Sequence, residues 1–246
     1  MSDTTPTHTV TQVSILSALL ARRFDGLMKC GDLLRHGDFG IGTYDRMDGE
    51  MILVDGKFYQ GKAGGEIHTP DPATLTPFAT VCQFVADRSW EVTESVDYDG
   101  LDALIDEQAA NRNCYLAIRV EGTFPFMRIH ALVEQQKPYP STAEVVKGCV
   151  RTEMIDVCGT IVGFRGVPWM RGINDTSYHL HFITADRARG GHVLAFEMAE
   201  GTVSISSLHD HVVLMPDNGA ALAGVDLSQD LLGAFEKAMR SESLRT

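Results

Sequence analysis

The stretch 177-SYHLHFITADRARGGHVLAF-196 decides the reading of this chain. Tyr178, Leu180 and Phe182 alternate with His179 and His181, and in an extended backbone residues two apart project from one face. The pattern predicts a strand with its apolar face in a core and two imidazoles on the other. After a connection that ends in Gly190-Gly191, His192 opens the next apolar run, so a hairpin return would set it beside the pair. Three neutral imidazoles match the protein share of a catalytic zinc site, which keeps a position open for water or substrate. A half-buried strand with histidine at alternate polar positions would give the same HxH spacing, so both readings stand on pattern alone. The chain holds its own comparison in His209 and His211 of SLHDHVV. No third ligand type follows that pair, and it reads as a solvent-facing strand edge.

Outward from this stretch, the same period of two recurs. GTIVGFRGVPW, GHVLAFEMAEGTVSISSL and HVVLMP read as strands, as do TPFATVCQFV and the pair CYLAIRVEG and TFPFMRIHALVEQ. Asp48-Gly49 and Asp55-Gly56 punctuate short apolar runs as hairpin turns do. Helical spacing marks ILSALLARRFDGLM, Asp99 to Ala109, a short segment capped by Ser141 or Thr142, and a closing segment from Asp226. The fold class expected is mixed α+β. The division expected is a flexible tail over 1–12, an N-terminal mixed-sheet unit over 13–140, and a C-terminal mixed-sheet unit over 141–246 that carries the metal site. A faint internal echo supports two related units: Asp45-Arg46 precedes Gly49-Glu50-Met51, and Asp186-Arg187 precedes Gly191-His192-Val193. It would put Glu50 and His192 at equivalent places.

Composition limits what such a site serves. At 246 residues and 44% hydrophobic, the chain can bury a large core. A formal net charge of −12 without a Lys/Arg stripe would repel a phosphate backbone, which argues against nucleic acid as a partner. The N-terminal segment has neither a signal-peptide pattern nor an apolar run of membrane-spanning length, so the protein is expected to be cytoplasmic. Its five cysteines are scattered and form no CxxC pair, and they read as reduced, buried thiols rather than metal ligands.

Several stretches together are similar to the acetolactate decarboxylase family. They are GDFGIGTYDRMDGEMILVDGKFYQ at 37–60, TPFATV at 76–81, QQKPYP at 135–140, GTIVGF at 159–164, GIN at 172–174, YHLHFI at 178–183 and DRARGGHVL at 186–194. The resemblance spans nearly the whole chain after the tail. It implies a zinc ion on His179, His181 and His192, two mixed-sheet units with the metal in the C-terminal one, and a homodimer. The implied reaction converts acetolactate, or a similar 2-hydroxy-3-oxo acid, to a chiral acetoin. In that chemistry zinc stabilises an enediolate as a Lewis acid until a proton arrives on one face. Glu50, in DGEM, matches a functional glutamate that manages protons, and Thr43, in GIGT, matches a position whose hydroxyl reaches a substrate oxygen.

Two positions depart from the family. It carries an arginine shortly before its QxKPY motif, where this chain has His130; Arg128, two residues earlier, is the candidate to supply the missing cation. The family's glutamate near the C-terminus falls here near Ala238 or Met239, flanked by Glu236 and Glu242. The loop from Arg165 to Asn174 suggests Trp169 and Met170 near the site. These departures leave two other functions in view: a diverged zinc lyase or isomerase acting on another hydroxy-oxo substrate, and a non-catalytic ligand-binding protein of the same fold.

Overall fold

One long strand buried on both faces explains how the molecule is layered. In the computed structural model, which describes residues 7–235 and 237, the chain supplies β1 (Thr9–Val13), α1 (Leu16–Leu20), β2 (Met28–Lys29), α2 (Cys30–Leu33), β3 (Phe39–Thr43), β4 (Glu50–Val54), β5 (Lys57–Gly61), β6 (Ile67–His68), β7 (Leu75–Thr76) and β8 (Phe78–Cys82). Then follow β9 (Arg88–Val92), β10 (Val96–Asp97), α3 (Tyr98–Gln108), β11 (Tyr115–Ala131), α4 (Thr142–Lys147), β12 (Val150–Arg165), β13 (Tyr178–Thr184), β14 (Gly190–Met198), β15 (Glu200–Leu208) and β16 (Asp210–Leu214). Near the start of β11, Tyr115 and Ala117 pack with Phe39, Ile41, Ile52 and Val54, whereas Leu116, Ile118 and Val120 pack with Leu101 and Ile105 of α3. The two faces of one strand thus fill two cores, as the pleat requires.

Two seven-stranded sheets result. The first has the order β16-β1-β8-β3-β4-β5-β6, mixed because β16 runs parallel to β1. The second, β10-β14-β13-β12-β11-β15-β9, is antiparallel at every recorded pairing. It also closes on itself. The first half of β11 pairs with β15, and its second half pairs with β14, which joins β11 through β14 in a ring. Phe124, Met127, Ile161, Leu180, Phe182 and Phe196 belong to the apolar core of that sheet.

The structure corrects several expectations. The division at 140 separates β11 from β12, yet these two strands pair from Leu116–Arg165 to Ala131–Val150. The sheets instead take residues 9–82 with 210–214, and residues 88–208. The tail does not extend to residue 12, because β1 starts at Thr9 and is held between β8 and β16. CYLAIRVEG and TFPFMRIHA form one strand. Gly122 and Pro125 suggested a break, but the chain absorbs Pro125 opposite Asp156, which adopts φ 51° and drops out of the pairing register. The first helix is only Leu16–Leu20, ended near Arg22 at φ 64°. Cys158 is exposed, so not every thiol is buried. Other readings match: Val54 faces Lys57 across the Asp55-Gly56 turn, where both φ angles are positive, and Ser141 opens α4 with a reciprocal Glu144 capping box. The expected closing helix lies in part outside the described residues, as do Glu236, Ala238, Met239 and Glu242. Among the described residues, no helix is long and apolar enough to cross a membrane.

Candidate metal centre and its cavity

Strand register builds the site. His181 faces His192 across β13 and β14, and His192 faces His130 across β14 and β11, so three imidazoles stand in one row on the surface turned toward the first sheet. His179, two residues from His181, joins them. The ring centroids of His179, His181 and His192 lie 5.0–5.4 Å apart, and their candidate ligand atoms all fall within 4.8 Å of one another. The turn that returns β14 to β13 is closed locally. Asp186 accepts hydrogen bonds from the Thr184 hydroxyl and the Ala188 amide, and Arg187 takes φ 60°.

The donor set fits a divalent metal. His181 is fully buried, and its Nδ1 donates to the Met51 carbonyl at 2.8 Å. That bond leaves Nε2 as the lone-pair nitrogen, and Nε2 is buried without a hydrogen-bond partner. An orphaned buried acceptor costs on the order of 1–3 kcal/mol unless something coordinates it. Burial, reinforced by neighbouring histidines, also holds His181 and His192 well below the usual imidazole pKa, and burial lowers His179. All three are therefore neutral near pH 7, as candidate ligands must be, and the Met51 carbonyl orients His181.

Glu50 comes from the other sheet. It opens β4, one residue before Met51, and is 4% exposed. Its Oε1 accepts from the Leu132 amide at 3.3 Å, its Oε2 is 3.5 Å from His181 Nε2, and its Oε1 is 4.0 Å from His130 Nε2. Desolvation pushes its pKa up to about 8, the Leu132 bond opposing. His130, stacked on His192 with centroids 4.6 Å apart, is pushed down to about 4 by burial and then by the charges of His179 and Arg151.

These groups open on a cavity of about 450 Å³. Thr43, Glu50, His130, His179 and His192 form part of its polar wall, and Thr43 Oγ1 donates to the Gly49 carbonyl at 2.8 Å. The opposite wall is apolar: Leu16, Leu19 and Leu20 of α1, Val145 and Val146 of α4, and Leu232 with Phe235. Sequence reasoning missed this wall. Its members are ordinary amphipathic positions, and only the tertiary fold gathers them. No lysine or arginine is among the described lining residues.

Arg128 is not brought to the site. Its guanidinium pairs with Glu153 Oε1 at 2.8 Å and lies over the Phe126 ring. The irregularity in this stretch lies on β14, where Leu194 is extra between Ala195 and Val193. Strand β11 stays regular against β12, so Arg128 shares a face with His130 but stands two residues along the strand, opposite Ala195, with its guanidinium held by Glu153 on β12. Trp169 and Met170 also lie elsewhere: Met170 is buried in the core between the sheets, and Trp169 is exposed, donating to the Asn113 carbonyl. His209 and His211 diverge, one toward Cys114 and the other edge-on to Tyr115 and Trp169.

Comparison with known proteins converges on one family. The alpha-acetolactate decarboxylase family model matches residues 10–229. The chain is 38% identical over 223 residues to the alpha-acetolactate decarboxylase of Methanosarcina mazei, covering 89% of this chain and 77% of that one. It is 36% identical over 231 residues to that of Methylococcus capsulatus, covering 94% and 88%. The X-ray structure of alpha-acetolactate decarboxylase from Bacillus subtilis strain 168 superposes with a TM-score of 0.88 at 31% identity, over 94% of this chain and 97% of that chain.

Proposed function

We propose that this chain, which belongs to the alpha-acetolactate decarboxylase family, is a zinc-dependent carboxy-lyase that converts acetolactate or a close 2-hydroxy-3-oxo acid to acetoin or its homologue. The observation that carries the reading is the lone Nε2 of His181, aimed with His179 and His192 at one point beside the buried Glu50 carboxyl.

His179, His181 and His192 would hold the ion. Bound there by neutral ligands, zinc supplies an undiminished positive charge against the negative charge that develops on the substrate's hydroxyl and ketone oxygens. When the C–C bond to the carboxylate breaks, its electron pair passes toward the ketone, and the carbon that lost carbon dioxide must then receive a proton on one face. Glu50, buried with its carboxyl 3.5 Å from His181 Nε2, is the group we assign to hold and deliver it. Thr43, with its hydrogen committed to Gly49, presents oxygen lone pairs as an acceptor for the substrate hydroxyl. His130 offers a neutral ring nitrogen to the same space. The apolar wall of α1, α4, Leu232 and Phe235 excludes water and seats the alkyl groups. Arg128, tied to Glu153, has no part in this assignment. A homodimer belongs to the proposal as well, carried by the family resemblance and tested by light scattering.

The direct test is incubation of zinc-loaded protein with racemic acetolactate, following carbon dioxide and the handedness of the acetoin formed. Full zinc occupancy without turnover would move the reading to a diverged zinc lyase or isomerase of the same fold.

A further inference from the structure

Cys149 lies where α4 meets β12, directly after the Gly148 that ends the helix. It packs against the cluster of Leu19, Leu132 and Val145 beneath the cavity wall, and its Sγ is 3.5 Å from Nδ1 of His130. The other ring nitrogen of His130, Nε2, points toward the cavity, 4.0 Å from Glu50 Oε1, with the ring plane fixed by stacking on His192 at 18°. The imidazole therefore sits between a thiol on one side and a carboxyl on the other.

A neutral imidazole carries one N–H, and the choice of nitrogen decides what it shows to a bound molecule. With the hydrogen on Nδ1, the ring would spend its only donor on a sulfur, a weak acceptor, and could not accept the thiol's hydrogen there. With the hydrogen on Nε2, the thiol donates to Nδ1 and the N–H enters the cavity. The second arrangement gives Nδ1 a donor and leaves the Nε2–H for a molecule bound in the cavity. We propose that Cys149 is a positioning residue: its thiol, donating to Nδ1, holds His130 in the tautomer whose Nε2–H is directed into the cavity, where it binds an anionic oxygen of the substrate. The substrate half of this assignment rests on the decarboxylase reading above; the tautomer half does not.

The test uses zinc-loaded protein with 15N-labelled histidine. Long-range 1H–15N correlation reports which nitrogen of His130 is protonated, the signal being assigned by its loss in His130→Gln. The wild type and Cys149→Ser should show the Nε2–H form, since a hydroxyl also donates, while Cys149→Ala should shift the population toward Nδ1–H. Losing a hydrogen bond to a charged oxygen should raise the KM for acetolactate about tenfold in Cys149→Ala with kcat changed less than about twofold, and Cys149→Ser should restore KM to within about threefold. A wild-type protein in the Nδ1–H form overturns the proposal, and so does a Cys149→Ala protein that keeps both the wild-type His130 signal and the wild-type KM. A protein that shows the tautomer switch but does not turn over acetolactate overturns the substrate reading and retains the tautomer role of Cys149.

Discussion

The Nδ1 of His181 lies 2.8 Å from the carbonyl oxygen of Met51, so the strand that carries Glu50 also orients the most deeply buried histidine of the cluster. One β4 backbone thereby couples the proposed ligand set of the second sheet to the proposed proton carrier of the first.

That coupling sets the first prediction. His181→Ala and His179→Ala each remove one of three ligand atoms, and zinc affinity should fall by at least about a hundredfold, because even outer partners of a metal site cost tenfold or more. His209→Ala and His211→Ala should leave it unchanged, since those side chains diverge. Metal analysis after dialysis checks this, and equal losses in both pairs would place the site elsewhere.

Glu50 separates binding from chemistry. Glu50→Gln keeps the shape and can still accept from the Leu132 amide, but it cannot carry the proton. Turnover should drop about 10²- to 10⁴-fold with zinc retained. An unimpaired variant would make Glu50 a structural group.

Arg128 provides a contrast with His130. Its pair with Glu153 is half-exposed, and such pairs contribute about 0–1 kcal/mol, so Arg128→Ala should change kcat/KM less than about twofold. Loss of turnover in that variant, with folding and zinc intact, would return the missing cation to Arg128.

Acid should weaken the metal-free protein before it reaches the carboxylate range. Burial lowers His179, His181 and His192, and takes His130 to about 4, whereas the unfolded chain's histidines take up protons near pH 6.5. Below pH 6.5 the unfolded state binds more protons than the folded one, so stability present above 6.5 is lost as pH falls toward 4. Glu50 acts oppositely, its folded pKa of about 8 favouring the folded state as pH drops from 8 toward 4.5. Four imidazoles outweigh one carboxyl. Urea unfolding of metal-free protein should give about 2 kcal/mol less stability at pH 5.5 than at pH 6.5. A gain on acidification would contradict the burial of the cluster.

What the sequence made legible follows from distance along the chain. His179, His181 and His192 occupy neighbouring strands joined by a short turn, and a period of two with a hairpin return is enough to bring them together. Glu50 reaches them from a different sheet, and no periodicity encodes how two sheets face each other; the DGEM motif identified it only through family resemblance. The Arg128 reading failed for a local reason: the same-face relation to His130 holds, but Arg128 stands directly opposite Glu153 on β12 and pairs with it, a cross-strand neighbour that alternation within β11 does not reveal. The division of the chain at 140 failed because β11, before it, pairs with β12, β14 and β15, all after it, and no local signal at the proline-rich 135–140 segment encodes that pairing. Thr43 stands opposite Glu50 in register and lines the cavity beside it, a neighbour relation that hairpin spacing alone would not have fixed across the turn between β3 and β4.

The paired glycines of the opening stretch give the last prediction. Gly191 immediately precedes His192, and a Cβ there would lie 2.5 Å from the His130 carbonyl oxygen and 3.2 Å from Ile129 Cδ1. The obstruction is backbone, which cannot rotate away, so β14 must shift from β11. Such overpacking costs about 1–3 kcal/mol. The shift falls on the row in which His130, His192 and His181 stand side by side, and moving His192 spoils the ligand geometry even though every ligand is still present. Gly191→Ala should therefore weaken zinc binding at least about tenfold. Gly148→Ala is the matched control: its added Cβ would meet nothing nearer than the Val145 carbonyl oxygen at 3.5 Å, an ordinary contact, and it should bind zinc like the wild type. Zinc titration of both variants decides the matter. If Gly191→Ala binds as tightly as Gly148→Ala, the close approach of β14 to β11 is not what holds His192 in place.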